Sequence, residues 1–276
     1  MDIADLVTAI NKNILTTDHY TFGDTEIYDL ALDDNVVIYN NGNYWCIVPL
    51  IIALSHPIIY DTYNYEADSY DVSIILCPIT LQCSMIRGTF LCEKYIDGRM
   101  MMLREKLDTD TMVNILGCTD NENDEQSKHV MQENKRVEVK ILTLRCAIKY
   151  TQDAPYMQLR IKKTKPIIPL QYYENTLDIA HKKIPHAHNI HPKTLVYLVK
   201  YHSVTKNKDK YTVIVGKDAA DYAITGYDID KSGLNSHLTK YRLKIMDKNG
   251  YIVPILWYMV QDMYSDATFI YLAEFV

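Results

Sequence analysis

The sequence predicts an α+β fold: mainly antiparallel sheets, few and short helices, and a duplicated strand–turn–strand–helix unit. Three observations predict it. Strand-like runs bounded by turn residues outnumber helical periodicities along the 276 residues. Two segments far apart carry the same order of signals, an Asn-Gly turn, then Tyr, then Ile-Val-Pro and two large aliphatics. The composition is that of a folded chain, 48% hydrophobic and 23% charged with 9 Gly and 9 Pro, which excludes disorder and collagen-like repeats.

The elements follow in chain order. Ile3, Leu6, Val7, Ile10 and Ile14 recur at helical spacing, with Asp2 or Asp5 near the positive end. Asp18 to Asp34 is acidic and reads as loop. Val36–Tyr39, the turn Asn40-Asn41-Gly42-Asn43 and Tyr44–Val48 form a hairpin, because Asn-Gly supplies the positive φ of a tight turn. Pro49 then opens a short buried helix, Leu50–Leu54, where its missing N–H is harmless. It ends near His56-Pro57. Val72–Leu76 is a continuous apolar run, fit for a central strand. Residues 100–116 fit either helix or strand, and Asp120–Gln126 reads as an exposed linker. Val137–Ile148 is β-rich and switches face midway, as a bulge would cause. Tyr156–Ile161, Thr194–Tyr201, Tyr211–Val215 and Ala267–Phe275 are further strands. Tyr241–Met246, the turn Asp247–Gly250 and Tyr251–Trp257 repeat the early hairpin and its exit.

Charge divides the chain. Residues 1–134 hold 7 Lys and Arg against 22 Asp and Glu, a net of −15. Residues 135–276 hold 22 against 13, a net of +9. The expected organisation is an acidic half, 1–134, with the first repeat and a basic half, 135–276, with the second, joined in one body. Such polarity suits halves that attract each other or copies that assemble head to tail. The 23 Tyr against 4 Phe fit an AT-rich genome, or a surface lined with Tyr.

Six cysteines, none in a Cys-x-x-Cys pair, imply a reducing compartment rather than a disulfide scaffold. The N-terminus lacks the basic start and apolar core of a signal peptide, and Ile47–Ile59 is too short to span a bilayer. The expected location is the cytoplasm or the inside of a virion. No phosphate-binding loop, dinucleotide fingerprint, nucleophile elbow or His-Glu-x-x-His motif occurs, and no cofactor is expected.

Three residue groups carry chemistry. His181, His186, His188 and His191 include a His-x-His pair with metal geometry, but Lys182, Lys183 and Lys193 oppose a divalent ion, so a polar loop is expected and no metal. Residues 160–210 hold 11 Lys and Arg against 3 Asp and Glu, with Lys162, Lys163, Lys165, Tyr172 and Tyr173 at their start. Basic plus aromatic suits an acidic protein surface or a single nucleic-acid strand. Cys77, His56 and Asp61 can act as nucleophile, base and orienter if they meet. Buried Cys and strand-ending Pro are also ordinary core features.

Pro49-Leu50, His56 and Asp61 are in register with a Tyr-Pro-Leu…His-Glu-x-x-Asn-Asp pattern, and Cys77-Pro78-Ile79 with Tyr-Cys-Pro-Leu-Cys-x-Thr. The Ile96–Arg99 turn and His191-Pro192-x-Thr194 follow in the same order. In these features the chain resembles an uncharacterised bacterial and archaeal domain family. Pro57 stands where the family has Glu, Tyr60 where it has Asn, and Thr80 where it has the second Cys. The resemblance implies a fold more than an activity, and any family pocket is eroded here. The reading is a non-catalytic structural or protein–protein interaction protein, from a source such as a large DNA virus. The alternatives are a thiol enzyme using Cys77 and His56, and a nucleic-acid binder using residues 160–210.

Overall fold

A computed structural model describes residues 2–24, 30–32, 34–65, 68–96, 99–105, 112–115, 139–151, 155–161, 165–174, 190–203, 208–215, 251–263 and 267–271. The architecture is α+β, strand-dominated and mainly antiparallel. Two compact units divide the chain, Met1–His181 and Lys182–Val276.

In the first unit, helix α1 (Ile3–Lys12) buries Leu6 and Ile10, as their spacing requires. A 3₁₀ turn (Thr17–His19) and strand β1 (Thr21–Asp24) follow, in a stretch that reads as loop from its acids. The ring of Phe22 meets Tyr20 and Tyr44 edge-on, an apolar gain that charge counting overlooks. The hairpin of β2 (Asn35–Asn40) and β3 (Trp45–Pro49) leads straight into α2 (Leu50–Ser55), matching the sequence reading.

Strands β4 (Ile58–Tyr65), β5 (Asp68–Leu76) and β6 (Cys83–Arg87) form a three-stranded sheet with β5 in the centre. Val72–Leu76 is buried throughout, Ser73 included, since a central strand is covered on both faces. A second three-stranded sheet joins β7 (Phe90–Ile96), β8 (Arg99–Arg104) and β9 (Met112–Asn114). The undecided stretch at 100–116 is therefore strand in its described part.

The Val137–Ile148 strand expectation is corrected. Val137 and Glu138 lie outside the described residues; among the rest only β10 (Lys140–Thr143) is strand, and α3 (Leu144–Tyr150) begins at once. The Thr143 side chain accepts a hydrogen bond from the Cys146 N–H as an N-cap, and Leu144 and Ala147 are buried at helical spacing. What reads as a change of face is a change of element. Strand β11 (Tyr156–Arg160) completes a five-stranded sheet in the order β1-β11-β3-β2-β10. The charge step at 134/135 thus falls inside the first unit, because β10 and β11 pair with β2, β3 and β1. Helices α2 and α3 pack on this sheet, and α4 (Gln171–Glu174) follows β11.

The second unit has a four-stranded sheet ordered β14-β12-β13-β15, with β12 (Leu195–Ser203), β13 (Lys208–Val215), β14 (Tyr251–Leu256) and β15 (Thr268–Tyr271). Helix α5 (Trp257–Met263) follows β14 directly and packs on it. Strand directions repeat those of the first unit. In both, a central pair is antiparallel, β2·β3 or β12·β13. A third strand, β10 or β14, is antiparallel to the first of the pair. That strand runs into a seven-residue helix, α3 or α5. A last strand, β11 or β15, is parallel to the second of the pair. The stretch at 241–250, which would form the hairpin of the second repeat, lies outside the described residues.

Candidate functional site

Two buried polar clusters and one exposed segment gather most of the chemistry of the first unit. The first cluster surrounds Asp61 on β4, a carboxyl only 8% exposed. Its Oδ2 accepts from the Tyr39 hydroxyl at 2.9 Å, and its Oδ1 from the Thr62 N–H at 2.8 Å. Tyr20, whose hydroxyl donates to Tyr60 O, and Asn41 also lie near the carboxyl and favour its ionised form. Burial raises the pKa of this carboxyl, and these four neighbours pull against it. The same burial, with Asp61 beside it, lifts the Cys46 thiol far above its ordinary value. Tyr39, fully buried between them, is raised too, by burial first and then by Cys46 and Asp61. The cluster exists because the β2–β3 turn docks on β4. The Asn64 N–H donates to Asn41 O, and Gly42, at φ +97°, lies so close that a Cβ would overlap the Asn64 carbonyl.

The second cluster lies at the end of the β4-β5-β6 sheet. Cys77 follows β5, is 1% exposed, and its Sγ sits 3.6 Å from the Tyr95 hydroxyl on β7. The Tyr173 hydroxyl donates to Pro78 O. Burial raises Tyr95 and Tyr173, with Cys77 the next contributor to each. Cys92, also buried and influenced by Cys77, is pushed up to about 12. The turn itself is strained, since Leu81 adopts φ +57°. Gln82 is buried there with its Nε2 unpartnered.

His56 belongs to this end of the sheet through its backbone, for the Leu76 N–H donates to Pro57 O. Its imidazole turns elsewhere. Nδ1 lies 2.8 Å from Asn13 O and therefore donates, because a carbonyl only accepts. Nε2 is buried with no hydrogen-bond partner. Asp61 pairs across with Val72, four residues along from Pro57 and about 13 Å of extended strand from the Cys77 end. Each of the three thus has its own partner: Tyr95 for Cys77, Asn13 for His56 and Tyr39 for Asp61.

The exposed segment runs from Lys165 to α4. Lys165 is exposed, the Ile167 N–H donates to Leu54 O of α2, and Tyr172 and Tyr173 stack edge to face. Lys162 and Lys163 lie outside the described residues. Among the described residues, three large apolar side chains are exposed: Leu32 at 48%, Ile51 at 46% and Leu170 at 45%.

His191 is exposed, and its Nδ1 accepts from the Lys193 N–H; His181, His186 and His188 lie outside the described residues. Among the described residues no group of three or more His, Cys, Asp or Glu is placed to hold a metal ion. No helix among them is long and apolar enough to cross a membrane. The residues that complete the buried clusters, Tyr39, Tyr95 and Asn13, carry no local motif. Only the pairing of distant strands selects them from the 23 tyrosines and the many asparagines. Comparison with known proteins returns no matching family model, no matching curated protein and no matching solved structure.

Proposed function

We propose that the chain is a non-catalytic interaction protein that docks an acidic protein surface through the basic segment around Lys162, Lys163 and Lys165. The observation that carries the reading is the separate engagement of Cys77, His56 and Asp61. Each makes a hydrogen bond or close polar contact with a different partner, and the thiol is enclosed. A nucleophile needs access and a base within reach. The anchoring of Lys165–Tyr173 on α2 and on Pro78 gives the basic segment a fixed base. Tyr172 and Tyr173 serve that base, the Tyr172 hydroxyl being buried and the Tyr173 hydroxyl donating to Pro78 O.

Several finer points belong to the same proposal. The chain is a divergent member of the domain family it resembles, from a source such as a large DNA virus, where it serves as a particle component. Its two units descend from one duplicated unit. The shared strand order and directions support this, and they match β14–α5 to β10–α3 rather than to β3–α2.

The test measures binding of full-length protein to poly-glutamate and to single-stranded DNA across salt. The proposal expects poly-glutamate binding that Lys162→Glu, Lys163→Glu and Lys165→Glu weaken. Stronger retention on DNA, falling steeply with salt, favours the nucleic-acid reading instead. Binding to neither sinks both.

A further inference from the structure

We propose that Asn41-Gly42 is a latent modification site: the docked β2–β3 turn seals it against deamidation, and conversion after the turn opens prevents the turn from docking again. Asparagine is a labile residue, and a glycine after it has no Cβ to keep its backbone nitrogen away from the asparagine side chain. In the reaction the Gly42 nitrogen attacks Cγ of Asn41. A new C–N bond closes a succinimide ring, and the Nδ2 group leaves as ammonia, taking the Gly42 proton. Water then opens the ring to aspartate or isoaspartate. No oxidant or cofactor is needed.

In the docked turn each group that must move is engaged. The Gly42 N–H donates to Asn40 Oδ1 at 2.7 Å, so attack on Asn41 would break that bond. Asn41 Oδ1 accepts from the N–H groups of Asn43 and Tyr44, each at 3.2 Å, which fixes Cγ. The backbone of Asn41 is pinned as well. Its N–H donates to Tyr44 O at 3.2 Å, and its carbonyl accepts from the Asn64 N–H of β4 at 2.7 Å. Gly42 lies hard against the Asn64 carbonyl, which resists the rotation that would bring its nitrogen to Cγ. Asn41 itself is only 3% exposed. Ring closure therefore requires the turn to leave β4 first, and the free energy of that local opening slows the reaction.

Conversion changes what the turn can do. Aspartate at position 41 sets a second carboxylate beside the buried Asp61. Like charges brought together out of water oppose docking. Isoaspartate lengthens the main chain by a methylene and displaces the carbonyl that accepts from the Asn64 N–H. Either product makes a reversible opening permanent.

Peptide mapping of the full-length protein at mildly alkaline pH, folded and in urea, tests the seal through the mass gain at Asn41. The folded chain should convert at least about tenfold more slowly than the unfolded chain. Asn40→Ala frees the Gly42 N–H, and the folded variant, checked by its thermal melt, should convert about threefold faster than folded wild type. The converted wild-type fraction, separated by its extra charge, should exchange the Asn64 amide hydrogen faster than the unconverted one. Equal rates in the folded and unfolded chain, or a folded Asn40→Ala variant no faster than wild type, overturn the seal. A converted fraction whose Asn64 amide stays as protected as before overturns the loss of docking.

Discussion

Asp61 sits where a carboxylate is least welcome, and its pH behaviour follows from that position. Burial raises its pKa above the ordinary 3.8 despite the opposing hydrogen bonds from Thr62 and Tyr39. Between the unfolded and the folded value, the native state binds more protons than the unfolded chain. Its contribution to stability therefore falls as pH rises through that window. Asp61→Asn keeps the shape and removes the charge. Denaturant midpoints near pH 4 and pH 7 should show wild type losing stability with pH relative to Asp61→Asn. A parallel pair of profiles contradicts the buried-acid account. Gly42 makes a second residue-scale prediction. At φ +97° and against the Asn64 carbonyl, Gly42→Ala should cost about 2 kcal/mol or more in the unfolding free energy. A cost below about 0.5 kcal/mol would show that the turn is not docked on β4 in this way.

At the scale of elements, one side chain does the work of a strand. The Asn11 carboxamide of α1 donates to Cys92 O at 2.7 Å and accepts from the Cys92 N–H at 2.9 Å. It closes the edge of β7 where the register shifts between Cys92 and Lys94. Asn11→Ala leaves both backbone groups unpaired and should cost about 1–3 kcal/mol, read as a lowered denaturation midpoint with an unchanged slope. Thr143→Ala removes the α3 cap and should cost about 1 kcal/mol by the same measurement. Elements that obey one local rule were legible in the sequence. The Asn41-Gly42 turn, the Pro49 exit into α2 and the apolar run of β5 each follow from neighbouring residues alone. Strands β4, β6 and β7 were not, because polar and Tyr-rich positions interrupt their alternation. The β10–α3 junction was hidden for a different reason. Its β-branched and apolar residues suit either state, and one threonine cap decides between them.

For the whole molecule, repeated local signals and position in the sheet align the late segment differently. Sequence order aligned the late Ile-Val-Pro segment with β3 and α2. In strand order β14 takes the place of β10, and α5 that of α3. Repeated Asn-Gly and Pro signals report local turns, while the position of a strand in its sheet depends on partners far away in the chain. The candidate trio shows the same limit. Spacing brought Cys77, His56 and Asp61 into one hypothesis, yet their partners Tyr95, Asn13 and Tyr39 come from β7, the residues after α1, and β2.

The central claim is that Cys77 is a core thiol rather than a nucleophile, and timed maleimide labelling of the native protein, resolved by site, tests it most directly. Among the described cysteines, Cys146 alone is partly exposed, while Cys46, Cys77, Cys83 and Cys92 are buried. Burial also raises Cys46, Cys83 and Cys92, which lowers their thiolate content. The expected order is Cys146 first, with Cys77 protected until the protein unfolds. Labelling of Cys77 ahead of Cys146, slowed by His56→Ala, would contradict the account and return the chain to the thiol enzymes.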